Sequence, residues 1–574
     1  MGQKGESLSA RAAAAWRSIK RLISGGTLYE KLRGRMLEIT RRADEARVRG
    51  DLEGSAAGNR EALELAKHIA KTFGDHRSVF ECLRWAYGNL GGALLELGNL
   101  DGAHDALVQG VHLARRILAL DENNASGFSN LGYALRGLGQ AEARMRRFDR
   151  AAAAFREAAE RAREAAERGW DQATALDLAT SCLRGLGDAY RELGLPAVAV
   201  EAFANAAEAA RLLGELTKGT TDALNRRWTA LDAMADAWFA CLEDENALAA
   251  HRKAEPVARR LVAAGGGTLE ALHSLGTTLF GITYHAPHSE RVDEGVSAGR
   301  EGVSVQRRIV ALEPEQYSRR RQLATMLQYL SGAEIQAADL EAARSSLDEA
   351  MDILRRPAKD DDPAETRVQR IFALKCLAWL EEEAGRAAAA RDAYDHAFLE
   401  ARAALEAGDE VHDLLQTQAD LHLRRADFET QAKCHEAAGE HSRQALELLP
   451  GVVDRMGEDW MALGGPLNRL DWLCDRVRDS GDVAWSLQLR REWVALHRRV
   501  ASRPTPSVET LEMLASALRQ LMIELDSTGE TREASDRRQE LMDVEARLSQ
   551  ARSAAPPLPT IPAWSWPEGA KPSP

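Results

Sequence analysis

Residues 186–206 read LGDAYRELGLPAVAVEAFANA. Leu186-Gly187, Tyr190, Gly194, Ala199, Phe203 and Ala206 carry the pattern L-G-x2-Y-x3-G-x4-A-x3-F-x2-A. Read as a helix, this stretch puts Gly187 and Tyr190 on one face. Gly194 stands where a left-handed residue would end that helix. Ala199 and Ala206 are small where a second helix would cross the first, and Phe203 is large enough to fill the gap to a neighbouring pair. The stretch therefore predicts two helices joined by a tight turn. The spacing returns at Leu90-Gly91, Leu94, Gly98, Ala103, Leu107 and Gly110, and at Leu377-Ala378, Glu381, Gly385, Ala390, Tyr394 and Ala397. Weaker copies lie at Met234-Ala235, Trp238, Leu242, Ala247, His251 and Ala254, and at Leu521, Leu525, Gly529, Ala534 and Leu541. Such a series means stacked helical hairpins.

This alternation of small and large residues resembles the tetratricopeptide repeat family over roughly residues 28–550, in its longer-helix, kinesin-light-chain-like form. The resemblance implies an all-α, right-handed α-solenoid, a superhelix of about eleven hairpins. They are expected near 28–73, 76–120, 124–168, 170–216, 219–264, 268–313, 316–356, 363–407, 409–450, 454–500 and 507–550. A larger period supports this. Residues 100–120 align with 292–312, with Asp101/Asp293, Gly110/Gly302, Arg115/Arg307 and Ile117/Ile309 among the identical pairs. A block of about 90–160 is read as duplicated in 282–352.

Composition agrees. Hydrophobic residues make up 45% of the 574-residue chain but aromatics only 5%, as alanine-rich helices with small contacts require. No period-two run of Val, Ile and Thr stands out. Net charge is −13, unevenly placed: residues 1–49 hold 12 Lys+Arg against 5 Asp+Glu, a balance of +7, which leaves −20 for the rest. An acidic body argues against nucleic-acid binding. Six cysteines sit singly with no CxxC pair, as reduced thiols in the cytoplasm would. No secretory leader and no membrane-spanning run is evident.

The two ends differ from the body. Residues 9–23, SARAAAAWRSIKRLI, form a short helix with Trp16, Ile19 and Ile23 on one face and Arg17, Lys20 and Arg21 as its cations, ended by Ser24-Gly25-Gly26. This basic segment either caps the first hairpin or makes peripheral contact with an anionic membrane or an acidic partner. Residues 551–574 are proline-rich, carry Trp564 and Trp566, and have no helical period.

Catalytic and metal signatures are weak. Gly295-Val296-Ser297-Ala298-Gly299 matches G-x-S-x-G, which works only at a strained strand-to-helix turn. The internal alignment sets Ser297 opposite Asp105, inside a second helix. His285 and His288 flank Ala286-Pro287 in an expected loop, with His273 and Asp293 near in sequence, but the spacing fits no zinc motif. Asp360-Asp361-Asp362 lacks the ligand series of a calcium loop. No cofactor or metal is expected, and no enzyme.

By the resemblance, first helices line a concave groove. The residues two positions either side of each Leu-Gly or Leu-Ala pair would face it: Arg184, Asp188, His273, Thr277, Arg321, Thr325, Lys375 and Trp379, with Arg191, Gln328 and Tyr329 one turn on. Arg184, Arg191, Arg321 and Lys375 would make a basic stripe suited to a protein or acidic peptide partner. The expected function is a non-catalytic interaction scaffold; the alternative is a peptide- or ligand-sensing regulator that signals by a change in solenoid curvature.

Overall fold

The computed structural model describes residues 8–74, 76–355, 363–407, 414–456, 460–503 and 506–554. Asp360-Asp361-Asp362, Trp564 and Trp566 lie outside these residues, as do the side chains of Arg17, Lys20 and Arg21. Among the described residues there are twenty-two helices and no strand. They follow one another as eleven helical hairpins: α1 (Leu8–Val48) with α2 (Leu52–Phe73), α3 (Arg77–Glu96) with α4 (Leu100–Leu120), α5 (Ala125–Arg144) with α6 (Phe148–Glu167), and α7 (Gln172–Glu192) with α8 (Pro196–Leu216). Next come α9 (Thr221–Ala240) with α10 (Asp244–Ala264), α11 (Leu269–His288) with α12 (Val292–Leu312), and α13 (Tyr317–Gln336) with α14 (Leu340–Leu354). The last four are α15 (Pro363–Glu383) with α16 (Ala387–Glu406), α17 (Leu414–Gln431) with α18 (His435–Met456), α19 (Trp460–Asp479) with α20 (Val483–Ala501), and α21 (Val508–Thr528) with α22 (Thr531–Ala554). The chain divides into two compact units between Ala237 and Trp238. No helix among the described residues is long and apolar enough to cross a membrane.

The turn sets the period. One residue with positive φ stands in every hairpin turn: Gly50, Gly98, Arg146, Gly194, Leu242, Glu290, Ala338, Gly385, Lys433, Gly481 and Gly529. The step from Gly50 to Gly98 recurs unchanged from each turn to the next, shortened by a single residue only between Ala338 and Gly385. The N–H that follows donates to the carbonyl five residues back, as in Leu195 to Tyr190 at 2.9 Å and Asp339 to Glu334 at 2.9 Å, which closes the first helix. Five of the eleven are not glycine, so the bond pattern and the next helix hold the turn where side-chain sterics disfavour it. Where Asp51, Asn99, Asp339 or Asp482 comes next in the frame, its side chain caps the second helix.

The same frame fixes the packing. Gly91, Gly139 and Gly187 each sit under a large residue of the second helix: an added Cβ would stand 2.5, 2.8 and 2.5 Å from Leu107, Phe155 and Phe203 respectively. Phe155 also covers Gly185 of the next hairpin, and Leu107 covers Gly137, so one knob locks two hairpins. Gly187→Val is accordingly expected to cost about 1–3 kcal/mol by overpacking against Phe203, which is fully buried. An unchanged urea midpoint would show that the contact is slack.

Charged side chains tie neighbouring second helices together at one constant separation in sequence. Arg115 pairs with Glu157 at 2.9 Å, Arg252 with Glu294 at 2.7 Å, Arg259 with Glu301 at 2.7 Å, Arg307 with Glu349 at 2.6 Å, Arg491 with Glu533 at 2.6 Å and Arg498 with Glu540 at 2.5 Å. Arg115 and Arg307, like Glu157 and Glu349, are displaced from one another by the same amount as the turns at Gly98 and Glu290. A second polar seam lies deeper. At the tyrosine position of the repeat, Glu142, Glu334, Glu381 and Glu429 are buried. Each meets a basic side chain from the preceding second helix: His104, Arg300, Arg344 and Arg391. Tyr190 receives Arg156 in the same way.

Three boundaries depart from expectation. α1 runs unbroken through Ser24-Gly25-Gly26; each glycine weakens a helix by only about 1 kcal/mol, and the helix is anchored beyond them by buried Met36 and Ala43. α11 continues through Pro287, so His285 and His288 are helical rather than in a loop. The proline falls in the last turn, where its ring packs on Gly295 of α12, and Gly295 also faces the Thr283 carbonyl that Pro287 leaves without its helical donor. α18 likewise passes through Pro450, carried by buried Leu449, Val452 and Val453.

Candidate functional site

In the second unit, the first helices α11, α13, α15, α17 and α19 stand side by side, and their facing side chains make one continuous ladder. Tyr284 meets Phe239 at 5.3 Å and Tyr329 at 5.7 Å between ring centroids. Tyr329 also meets Phe280 at 4.7 Å and Phe372 at 5.4 Å. These rings are half-buried, with part of each open to solvent. Edge-to-face and tilted contacts at this range stabilise one another beyond simple burial. Burial, with smaller contributions from Tyr284 and Cys376, pushes the Tyr329 hydroxyl up to about 12, so it is a hydrogen-bond donor at any ordinary pH.

The ladder turns from rings to charges at α15. Lys375 Nζ lies 4.8 Å above the Phe372 ring and 3.0 Å from the Asp420 carboxylate of α17. Arg469 of α19 reaches the same carboxylate at 2.6 Å and Arg424 at 3.5 Å. Burial alone would raise the Asp420 carboxyl; Lys375, Arg469 and Arg424 together hold it far below the usual carboxylate range.

The structure places the expected groove residues as follows. Arg321, Thr325 and Tyr329 of α13 and Lys375 of α15 all belong to this ladder. Arg321 pairs with Glu365, and the Thr325 hydroxyl donates to Gln369 at 2.8 Å. Gln328 is buried and donates to the Gln369 carbonyl at 3.0 Å. Trp379 donates to Glu383 at 3.3 Å along its own helix. His273 of α11 is half-buried, with Nε2 lacking a hydrogen-bond partner; burial and the nearby Arg319 lower its basicity. Thr277 is exposed. Arg184, Asp188 and Arg191 belong to α7 in the first unit. Arg184 and Arg191 are exposed, and Asp188 pairs weakly with Arg191 at 3.5 Å. In the second unit, therefore, the two stripe cations Arg321 and Lys375 are engaged by carboxylates of the next first helix, and the half-buried chemistry beside them is aromatic.

The remaining motifs are structural. Ser297 lies exposed in the second turn of α12, and the flanking Gly295 and Gly299 are close-approach positions against Pro287 and Leu330. His285 donates its Nδ1–H to the Asp244 carboxylate of α10 at 2.6 Å, not to Asp293. Among the described residues no group of three or more His, Cys, Asp or Glu is placed to hold a metal ion, and all six cysteines are free thiols.

Phe239, Phe280, Tyr284 and Phe372 were not among the expected groove residues, although a signal exists. The step from Phe239 to Tyr284 is repeated from Tyr284 to Tyr329. It matches the step from Lys375 to Asp420 and differs by one residue from those of Arg321–Glu365 and Thr325–Gln369.

Hairpins repeating at a constant step, with a ladder joining their first helices, define an all-α helical-repeat protein of the solenoid class, similar in build to tetratricopeptide proteins. No protein-family model and no curated protein matches the sequence. Solved structures do match. The apo form of RapI is 11% identical with a TM-score of 0.45, over 72% of this chain and 97% of that one. The apo quorum sensor NprR from B. thuringiensis is 14% identical with a TM-score of 0.40, over 74% and 99%. Yeast Tom70 is 11% identical with a TM-score of 0.28, over 91% and 97%.

Proposed function

We propose that the chain is a non-catalytic binding protein that holds a protein or peptide partner on the first-helix face of its second unit, with the rings of Phe280, Tyr284, Tyr329 and Phe372 as the contact. The observation that carries this reading is the ladder itself: four half-buried rings from three successive first helices touch one another on a surface whose nearby cations are already neutralised. Aromatic side chains on a rigid support supply contact area with little ordering cost. An acidic peptide would have to displace Glu365 and Asp420 from Arg321 and Lys375. A segment bearing apolar or aromatic side chains fits the surface without displacing either.

The test is a peptide display selection on the intact chain, followed by titration of the selected peptides into wild type and into Tyr329→Ala/Phe372→Ala. Circular dichroism first establishes equal helicity. Affinity at least tenfold weaker in the variant is expected. Equal affinity would move the site off this face, and peptides enriched in Asp and Glu that fail on Lys375→Met would restore the acidic-peptide reading. Small-angle scattering of the same titration separates a scaffold, whose dimensions stay constant, from a sensor, whose curvature changes.

A further inference from the structure

His422 of α17 and His441 of α18 face each other within one hairpin, Nδ1 to Nδ1 at 3.1 Å. Phe398 of α16 lies against both rings, 4.3 Å from His422 and 5.6 Å from His441, parallel to the latter within 3°. Both imidazoles are half-buried, so solvent reaches the pair while Phe398 fixes the ring planes. Arg425, the cation whose charge acts on His441, is engaged by Glu429 at 2.8 Å, and the adjacent Glu440 by Arg443 and Gln444. The sequence offers His441 as a metal ligand only with Cys434 and His435 of its own segment; its partner here, His422, comes from the other helix of the hairpin, and Cys434 meets Arg391 instead.

Without a metal, one Nδ1–H donates to the other ring. The same spacing is also the bite of a metal ion. Two nitrogens about 2.0–2.1 Å from a zinc ion and as far apart as these subtend roughly 100° at the metal. That lies between the right angle of a square or octahedral pair and the tetrahedral angle. Imidazole nitrogen is a preferred donor for zinc, copper and nickel and a poor one for magnesium and calcium.

We propose that His422 and His441 form a two-imidazole chelate for a divalent late transition metal, with water completing its coordination. Two protein donors make a weaker site than the three- or four-donor sites of structural zinc, so binding is weaker than theirs and reversible. Because the donors come from both helices of one hairpin, the ion clasps α17 to α18 and stabilises the folded chain by mass action.

The experiment titrates zinc chloride into the full chain after chelator treatment, by calorimetry in a non-coordinating buffer. One equivalent is expected in wild type and loss of that equivalent in both His422→Phe and His441→Phe, whose rings fill the vacated volume beside Phe398. Zinc should raise the wild-type melting temperature and leave both variants unmoved. A zinc-soaked crystal of wild type, which does not depend on either variant folding, should show an anomalous peak between the two Nδ1 atoms. No zinc binding by wild type, an equivalent that survives in both variants, or a peak at other histidines alone would overturn the site.

Discussion

Arg490→Ala is expected to loosen the end of the second unit by about 3–5 kcal/mol, the cost of breaking a buried ion pair by removing one partner. Arg490 of α20 is 1% exposed, the largest fully buried side chain among the described residues. Its guanidinium reaches three carboxylates: Asp471 and, at 2.8 Å, Asp475 of α19, and Glu524 of α21 at 3.2 Å. Its face lies 5.1 Å from the Trp493 ring. Without it, buried Glu524 keeps only Ser486 at 3.3 Å and Arg478 at 3.7 Å, too little for a carboxylate removed from water. The effect should be local, because repeat units contact only their neighbours. Amide hydrogen exchange in α19–α21 should accelerate while α11–α13 stay unchanged. The loss should shrink in a Glu524→Gln background, where no buried charge is stranded. Equal losses in both backgrounds would mean that the lost packing, not the charge, sets the cost.

The second large effect is on acid stability. His251 of α10 is buried, its ring stacked on that of His285 at 5.6 Å and enclosed by Gly281, where a Cβ would collide with it. Among the described residues the charge acting on it is that of His285, whose ring is held in turn by Asp244. Burial first, then the neighbouring His285, pushes its pKa down to about 3. In the unfolded chain it returns to about 6.5. Between those values the unfolded state binds a proton that the folded state refuses, so stability falls as pH drops from about 6.5 towards 3, by up to about 1.4 kcal/mol per pH unit. Glu382, raised to about 7 mainly by burial, acts with the opposite sign over about pH 7 to 4.5. The comparison of wild type with His251→Gln removes that contribution, since both carry it. Urea unfolding at pH 7.0, 5.5 and 4.5 should show the wild type losing about 2–3 kcal/mol more than the variant across the range. Parallel curves would mean that His251 is protonated in the folded state.

The hairpin frame was legible because it is written in steric terms. Gly187 under Phe203, and Gly194 at the turn, are demands of close approach and backbone sign that few other residues meet. The site was less legible because it is a matter of stagger. Equivalent positions recur at the step from Gly50 to Gly98, yet side chains that touch between hairpins stand at other separations. Thr325–Gln369 and Lys375–Asp420 bridge first helices, and Arg259–Glu301 bridges second helices at a shorter separation still. Arg469–Asp420 and Arg476–Asp427 bridge first helices at one residue more than that step, so a touching pair is slipped from its equivalent seat by up to about one turn between first helices and by nearly two between second helices, at about 3.6 residues per turn. A repeat count alone does not disclose that slip, so Arg321 and Lys375 read as groove cations when their carboxylate partners stand on the adjacent helix. Pro287 and Pro450 misled for a related reason: a proline ends a helix only where neighbouring packing does not hold it, and here Gly295 and the buried Leu449 and Val453 do.

The constant interval in the turns makes chain length itself a coded quantity. Removing or adding one whole interval returns every later side chain to an equivalent seat: knob over glycine, arginine opposite glutamate. A change of one residue inside a helix instead rotates all that follows in it by about 100°, turning the knobs away from their sockets. Such a protein lengthens or shortens most simply through whole increments, as ruled paper is cut along its lines, and the step from Ala338 to Gly385 shows that one residue can be dropped and the frame resumed.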